Sequence, residues 1–120
     1  MTQSLEDYLE MVSFLSDDGE VRVTDIASRL HVSKPSVHNA LKALEDQGLI
    51  EHERYSKVRL TGEGVRRAFM IRERHHILSG FLTDILGVDS ETAEKDACKM
   101  EHLLSEETLS KMRIMLKAKK

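Results

Sequence analysis

Cys98, Glu101 and His102 follow one another at i, i+3 and i+4 in the stretch Asp96-Ala97-Cys98-Lys99-Met100-Glu101-His102. On a helix this spacing brings a thiol, a carboxylate and an imidazole to one face, within a few ångströms of each other. Mixed sulfur, oxygen and nitrogen donors suit a transition-metal ion better than Ca²⁺ or Mg²⁺, which prefer shells of oxygen. Glu94 falls on the same face one turn earlier. A free cysteine more often packs as a small hydrophobe, so the motif gains its meaning from the rest of the chain.

The preceding helix offers a further donor. His75 lies on the apolar stripe Ile71, His75, Leu78, Leu82, Ile85. A lone histidine there is ordinarily a hydrogen-bonded core residue. With the Cys98 helix only a short turn away, ligation is the favoured reading. His76 points about a quarter-turn aside, toward solvent or toward the groups behind the ligands.

These helices need a scaffold, and the chain provides it in order. Leu5, Tyr8, Leu9, Val12 and Leu15 form the buried stripe of a first helix; Asp7, Glu10, Met11 and Phe14 form a second stripe. Asp7 and Glu10 either face an interface or are solvated acids near the positive end of the helix dipole. Val21 to Val23 is a short extended piece, after which Thr24 is placed to cap a helix carrying Ile26, Ala27 and Leu30. Ser33 caps a third helix that has Pro35 in its first turn and buries Val37, Ala40, Leu41 and Leu44. Gly48 stops it. Two strands, 49–52 and 57–60, bracket Glu53-Arg54-Tyr55-Ser56.

Two helices joined by a short turn and followed by a hairpin form a winged helix-turn-helix, whose second helix enters the major groove of double-stranded DNA. The reading side chains lie opposite the buried stripe: Lys34, Ser36, His38, Asn39 and, through apolar contact, Pro35, with Ser33 at the helix start. Arg54, Tyr55 and Lys57 at the wing are groups that bond phosphate or sugar. Beyond Thr61 the chain is helical, through Ile85 and Gly87, the Cys98 helix capped at Asp89 or Ser90, and a last helix begun at Ser105. The expected class is therefore mainly α: a winged helix-turn-helix DNA-binding domain (1–64) followed by an α-helical metal-binding and dimerisation domain (65–120).

Composition agrees. The 120 residues are 40% apolar and 32% charged with a single cysteine, so no internal disulfide forms, and no apolar run is long enough for a bilayer. The expected location is the cytoplasm, away from membranes. Residues 21–75 hold 11 basic against 7 acidic side chains within a chain of net charge −3. The basic middle suits a polyanion, and the acidic flanks suit cations. Leu109, Met112, Ile114, Met115 and Leu116 give the last helix more apolar surface than one chain can cover, which argues for a homodimer.

The order of these parts resembles the metal-dependent repressors of the diphtheria toxin repressor family, including the manganese transport regulators. The similarity runs from Glu6-Asp7-Tyr8-Leu9-Glu10 through the winged helix, Leu60-Thr61 with Gly62 and Gly64, and Arg74-His75, to the Cys98 motif. The resemblance implies that Asp7, Glu10, His75, Cys98, Glu101 and His102 are metal ligands, with Glu94 at an ancillary position. Iron-type members usually carry Met at the position of Asp7, and manganese-type members carry Glu at that of Cys98, so the chain mixes the two patterns. Ser79 stands where iron-type members have a carboxylate, and Glu94 where they have a histidine. The implied function is a dimeric repressor activated by Fe²⁺ or Mn²⁺, with Zn²⁺ or Co²⁺ binding in vitro, acting on an operator of metal-uptake genes. The alternative is a winged-helix regulator with a non-metal or thiol-redox effector at Cys98. A thiol enzyme is disfavoured, because no oxyanion-hole loop accompanies Cys98 and His102.

Overall fold

The computed structural model describes residues 3–17, 19–53 and 57–119. Its elements are α1 (Gln3–Ser16), α2 (Val23–Leu30), α3 (Lys34–Asp46), β1 (Ile50–His52), β2 (Val58–Leu60), α4 (Gly62–Gly80), α5 (Ser90–Met100) and α6 (Glu106–Lys119). A π-helical turn, Phe81–Ile85, follows α4 directly. The class is mainly α, with the two-stranded antiparallel wing expected from the sequence. By compactness the chain divides between Phe69 and Met70.

In the first unit, α1, α2 and α3 close over one core. Leu9, Val12, Ile26, Val37, Leu41 and Leu44 are fully buried. Each is worth roughly 1.5–3 kcal/mol relative to an exposed side chain. Ser33 caps α3 as expected, its hydroxyl accepting from Ser36 N–H at 3.2 Å. Thr24 does not cap α2. The Val58 N–H donates to Val21 O at 3.1 Å, which holds Val21 in a bridge to the wing. Arg22 is therefore the last extended residue, and α2 begins at Val23 with Thr24 already in its first turn.

The wing is locked to the end of α3 by Thr61. Its hydroxyl donates to Gly48 O at 2.6 Å and accepts from Gly64 N–H at 3.0 Å, while its own N–H donates to Leu49 O. Gly48 has φ +75°, which lets the chain turn sharply from α3 into β1. At Gly64 a Cβ would fall 1.9 Å from Leu49 O. Only glycine lets α4 start this close to the wing.

In the second unit, Ile77, Leu78, Ala97 and Leu109 form a buried cluster, with Met100, Leu104 and Met112 packed against it. Polar links join α6 to α4: Arg74 Nη2 to Glu106 Oε1 at 2.8 Å and Arg113 Nη2 to Glu73 Oε1 at 3.3 Å. The long helix read through Ile85 widens after Gly80. There the Thr83 hydroxyl donates to Ser79 O at 3.0 Å and Gly80 O at 3.3 Å, drawing carbonyls away from regular helical pairing. Asp89 caps α5, its carboxylate accepting from Glu91 N–H.

Candidate metal centre and nucleic-acid interface

His75 is the hub of the donor cluster. α4 presents it with its neighbours Ile71 and Leu78 buried, leaving the side chain 18% exposed. Its Nδ1 lies 3.0 Å from Glu101 Oε2 and 3.8 Å from Cys98 Sγ; its Nε2 lies 2.7 Å from Glu94 Oε2. Glu101 ends α5, its side chain only 1% exposed, and its other oxygen lies 3.4 Å from His102 Nε2. The geometry thus brings His75, Glu94, Cys98, Glu101 and His102 together, while His76 is exposed beside them. Among the described residues these donors meet in pairs around His75 and do not converge as a finished metal shell.

Burial is the largest influence on His75 and opposes its charge. The hydrogen bond with Glu94, the charges of Glu101 and Glu94 and the hydrogen bond with Glu101 together outweigh it, and the imidazole pKa is raised. Glu101 and His102 are more buried than an exposed ligand face implies: the His102 side chain is only 2% exposed. The reason is positional. α5 ends at Met100, which packs against the apolar cluster, as does Leu104, so the turn holding Glu101 and His102 is anchored on both sides.

The donor set fits a divalent transition metal. One thiol, two imidazoles and two carboxylates span the preferences of Mn²⁺, Fe²⁺, Co²⁺ and Zn²⁺, and a buried carboxylate touching two imidazoles is a group whose charge a cation would offset. Asp7 and Glu10 are half-buried on α1 of the first unit, i and i+3 apart.

On the DNA side, Ser33, Lys34, Pro35, Ser36, His38 and Asn39 are all exposed at the start of α3. The Ser33 hydroxyl is engaged in its cap and lies 2.9 Å from that of Ser36. Lys57 forms an exposed ion pair with Glu20 at 3.2 Å. Arg54 and Tyr55 lie outside the described residues. Two contacts of these residues were not legible in the sequence. Glu20 pairs with a lysine far along the chain, and His52 stacks on His38. Neither pairing leaves a local pattern.

Two family models match, and between them they take up nearly the whole chain. Residues 1–58 match the iron dependent repressor N-terminal DNA-binding domain, and residues 61–120 match the iron dependent repressor metal binding and dimerisation domain. The chain belongs to the iron-dependent repressor family. Within it, the chain is 46% identical to the transcriptional regulator MntR of Escherichia coli O157:H7, over 92% of this chain and 71% of that one. It is 36% identical to an uncharacterised helix-turn-helix-type regulator of Methanocaldococcus jannaschii, over 97% and 94%. Among solved structures it resembles a manganese-dependent transcriptional repressor in complex with manganese, at 27% identity and a TM-score of 0.84, covering 94% of this chain. The chain spans about half the length of that structure (52%). Members of this family are metal-dependent transcriptional regulators with winged-helix DNA-binding domains, not enzymes.

Proposed function

We propose that the protein is a homodimeric repressor that binds its operator when Fe²⁺ or Mn²⁺ is bound at the His75 cluster. The observation that carries this reading is the buried Glu101 carboxylate, in contact with His75 and 3.4 Å from His102, with Cys98 beside the same imidazole. His75, Cys98, Glu101 and His102 are the proposed ligands, with Glu94 beside them, and the family resemblance extends the set to Asp7 and Glu10. A bound divalent cation supplies positive charge that offsets these carboxylates. Without it these carboxylates lack that charge, and the state that binds DNA is less populated.

The protein side of this chemistry is proton and charge bookkeeping. An imidazole nitrogen ligates only after it gives up the hydrogen it shares with a carboxylate, and the carboxylate so released is itself a donor. Cys98 ligates as thiolate and so favours Fe²⁺, whereas the carboxylates suit Mn²⁺. Both metals are expected to activate, Fe²⁺ somewhat better; Zn²⁺ is expected to bind tightly and activate less completely, because it prefers four ligands.

α3 would read the major groove through Lys34, Pro35, Ser36, His38 and Asn39, with Ser33 at its start, and Arg54, Tyr55 and Lys57 would hold phosphates and sugars. Two copies would present two such helices to a palindromic operator, placed upstream of metal-uptake genes, in the cytoplasm. Exposed Leu103, Ile114 and Met115 in the second unit support pairing of copies. The test is retention of DNA carrying the protein's own upstream region, after chelation and after restoring each metal anaerobically. Retention should vanish with chelator and return with Fe²⁺ or Mn²⁺; retention indifferent to chelator would reject the proposal.

A further inference from the structure

His38 and His52 stack, with ring centroids 6.0 Å apart and planes inclined by 24°. His38 is exposed on α3 among the side chains assigned to base reading, whereas His52 ends β1 and is half-buried. A second link joins the same two elements: the His52 backbone N–H donates to Glu45 Oε2 at 3.3 Å. His38 and Glu45 are i and i+7 on α3, two turns apart on one face. One wing residue is thus held by its ring and by its main chain against a single face of the recognition helix. The core between these elements is built from other residues, Val37, Leu41, Leu44, Leu49 and Ile50, all buried.

An exposed side chain on a helix samples several rotamers, and ordering it on contact with DNA subtracts from affinity. A ring already stacked on a neighbour has met that cost before the DNA arrives. We infer that His52 is a positioning residue for DNA reading: its ring fixes the His38 imidazole, and Glu45 fixes His52. The inference rests on the proposed placement of α3 in the major groove. What the stack requires at position 52 is a flat ring; the imidazole nitrogens are not needed.

The experiment uses the metal-loaded full chain, an operator selected from random-sequence duplexes, and a random duplex as reference. His38→Ala and His52→Ala should each lower the operator-to-random affinity ratio, roughly five- to tenfold, at the low end of a specific base contact. The double variant should lose no more than His38→Ala alone, and His52→Phe should restore most of the ratio. Circular dichroism melts check that each variant is folded; if His52→Ala unfolds, His52→Gln, which keeps a polar side chain without the ring, replaces it. An unchanged ratio for His52→Ala beside a lowered one for His38→Ala would overturn the inference. So would losses that multiply in the double variant, or no rescue by His52→Phe. Unchanged ratios for His38→Ala and Asn39→Ala alike would instead overturn the recognition-helix reading beneath it.

Discussion

His75 Nδ1 stands 3.0 Å from the carboxylate of Glu101, which joins α4 to the end of α5 through a side chain only 1% exposed. A carboxylate so placed needs positive charge or hydrogen-bond donors around it, and His75 and His102 are among the groups beside it. The same groups that hold the unit together without metal are those proposed to bind it.

Glu101→Gln keeps the shape and removes the charge. Metal affinity should fall at or beyond the roughly hundredfold that even outer-shell partners cost, while the unit remains folded. Metal titration by calorimetry beside a thermal melt separates the two effects. Undiminished affinity would remove Glu101 from the ligand set.

His102→Ala should be costlier to the fold than an exposed ligand would be. Its side chain is 2% exposed beside Glu101, so about 1–3 kcal/mol of apo stability should go with it, in addition to metal response. Chemical denaturation of the apo protein measures this. No change in midpoint would mean that the burial contributes nothing.

The raised pKa of His75 gives a pH dependence with a definite sign. Its protonated form is favoured in the folded state, so the contribution is fully present below the ordinary value of 6.5 and is lost as pH rises through the raised value. Metal affinity should move the other way over the same interval, because ligation requires a neutral imidazole. Apo melting temperature followed from pH 5.5 to 8.5, for wild type and His75→Gln, is the check. Identical profiles would contradict the linkage.

On the wing, Lys57 is shared between Glu20 and any phosphate it meets. Lys57→Ala should weaken specific and random DNA alike and reduce the salt slope by about 1. Glu20→Gln should strengthen both a few-fold, since the exposed pair itself is worth little. An operator-selective effect of either change would move Lys57 from phosphate binding to base reading.

Asn39→Ala should cost about 1–3 kcal/mol of discrimination if Asn39 makes a bidentate base contact. Competition between operator and random duplexes reads it out. Equal losses on both would sink the assigned role.

Much of this architecture was legible because it is local. Helical stripes such as Val37, Leu41 and Leu44, the Ser33 cap and the i, i+3, i+4 spacing at Cys98 each lie within one element, where period and capping chemistry act. The burial of Glu101 and His102 was not legible, because the residues on either side of them, Met100 and Leu104, pack on a cluster drawn from α4, α5 and α6. The start of α2 at Val23 rather than after Thr24 is hidden for the same reason, since Val21 is bridged to distant Val58. The π-helical turn at Phe81 coincides with the Thr83 hydroxyl bonding back to the carbonyls of Ser79 and Gly80. Periodicity does not carry that information.

The most direct test of metal activation through the His75 cluster is half-maximal operator binding against free Fe²⁺ and Mn²⁺, measured anaerobically for wild type, Glu101→Gln and Cys98→Glu. The account predicts saturable activation of wild type by both ions, none for Glu101→Gln at the same concentrations, and a shift toward Mn²⁺ for Cys98→Glu. Operator affinity that is the same with and without metal, or activation of Glu101→Gln equal to wild type, would contradict it.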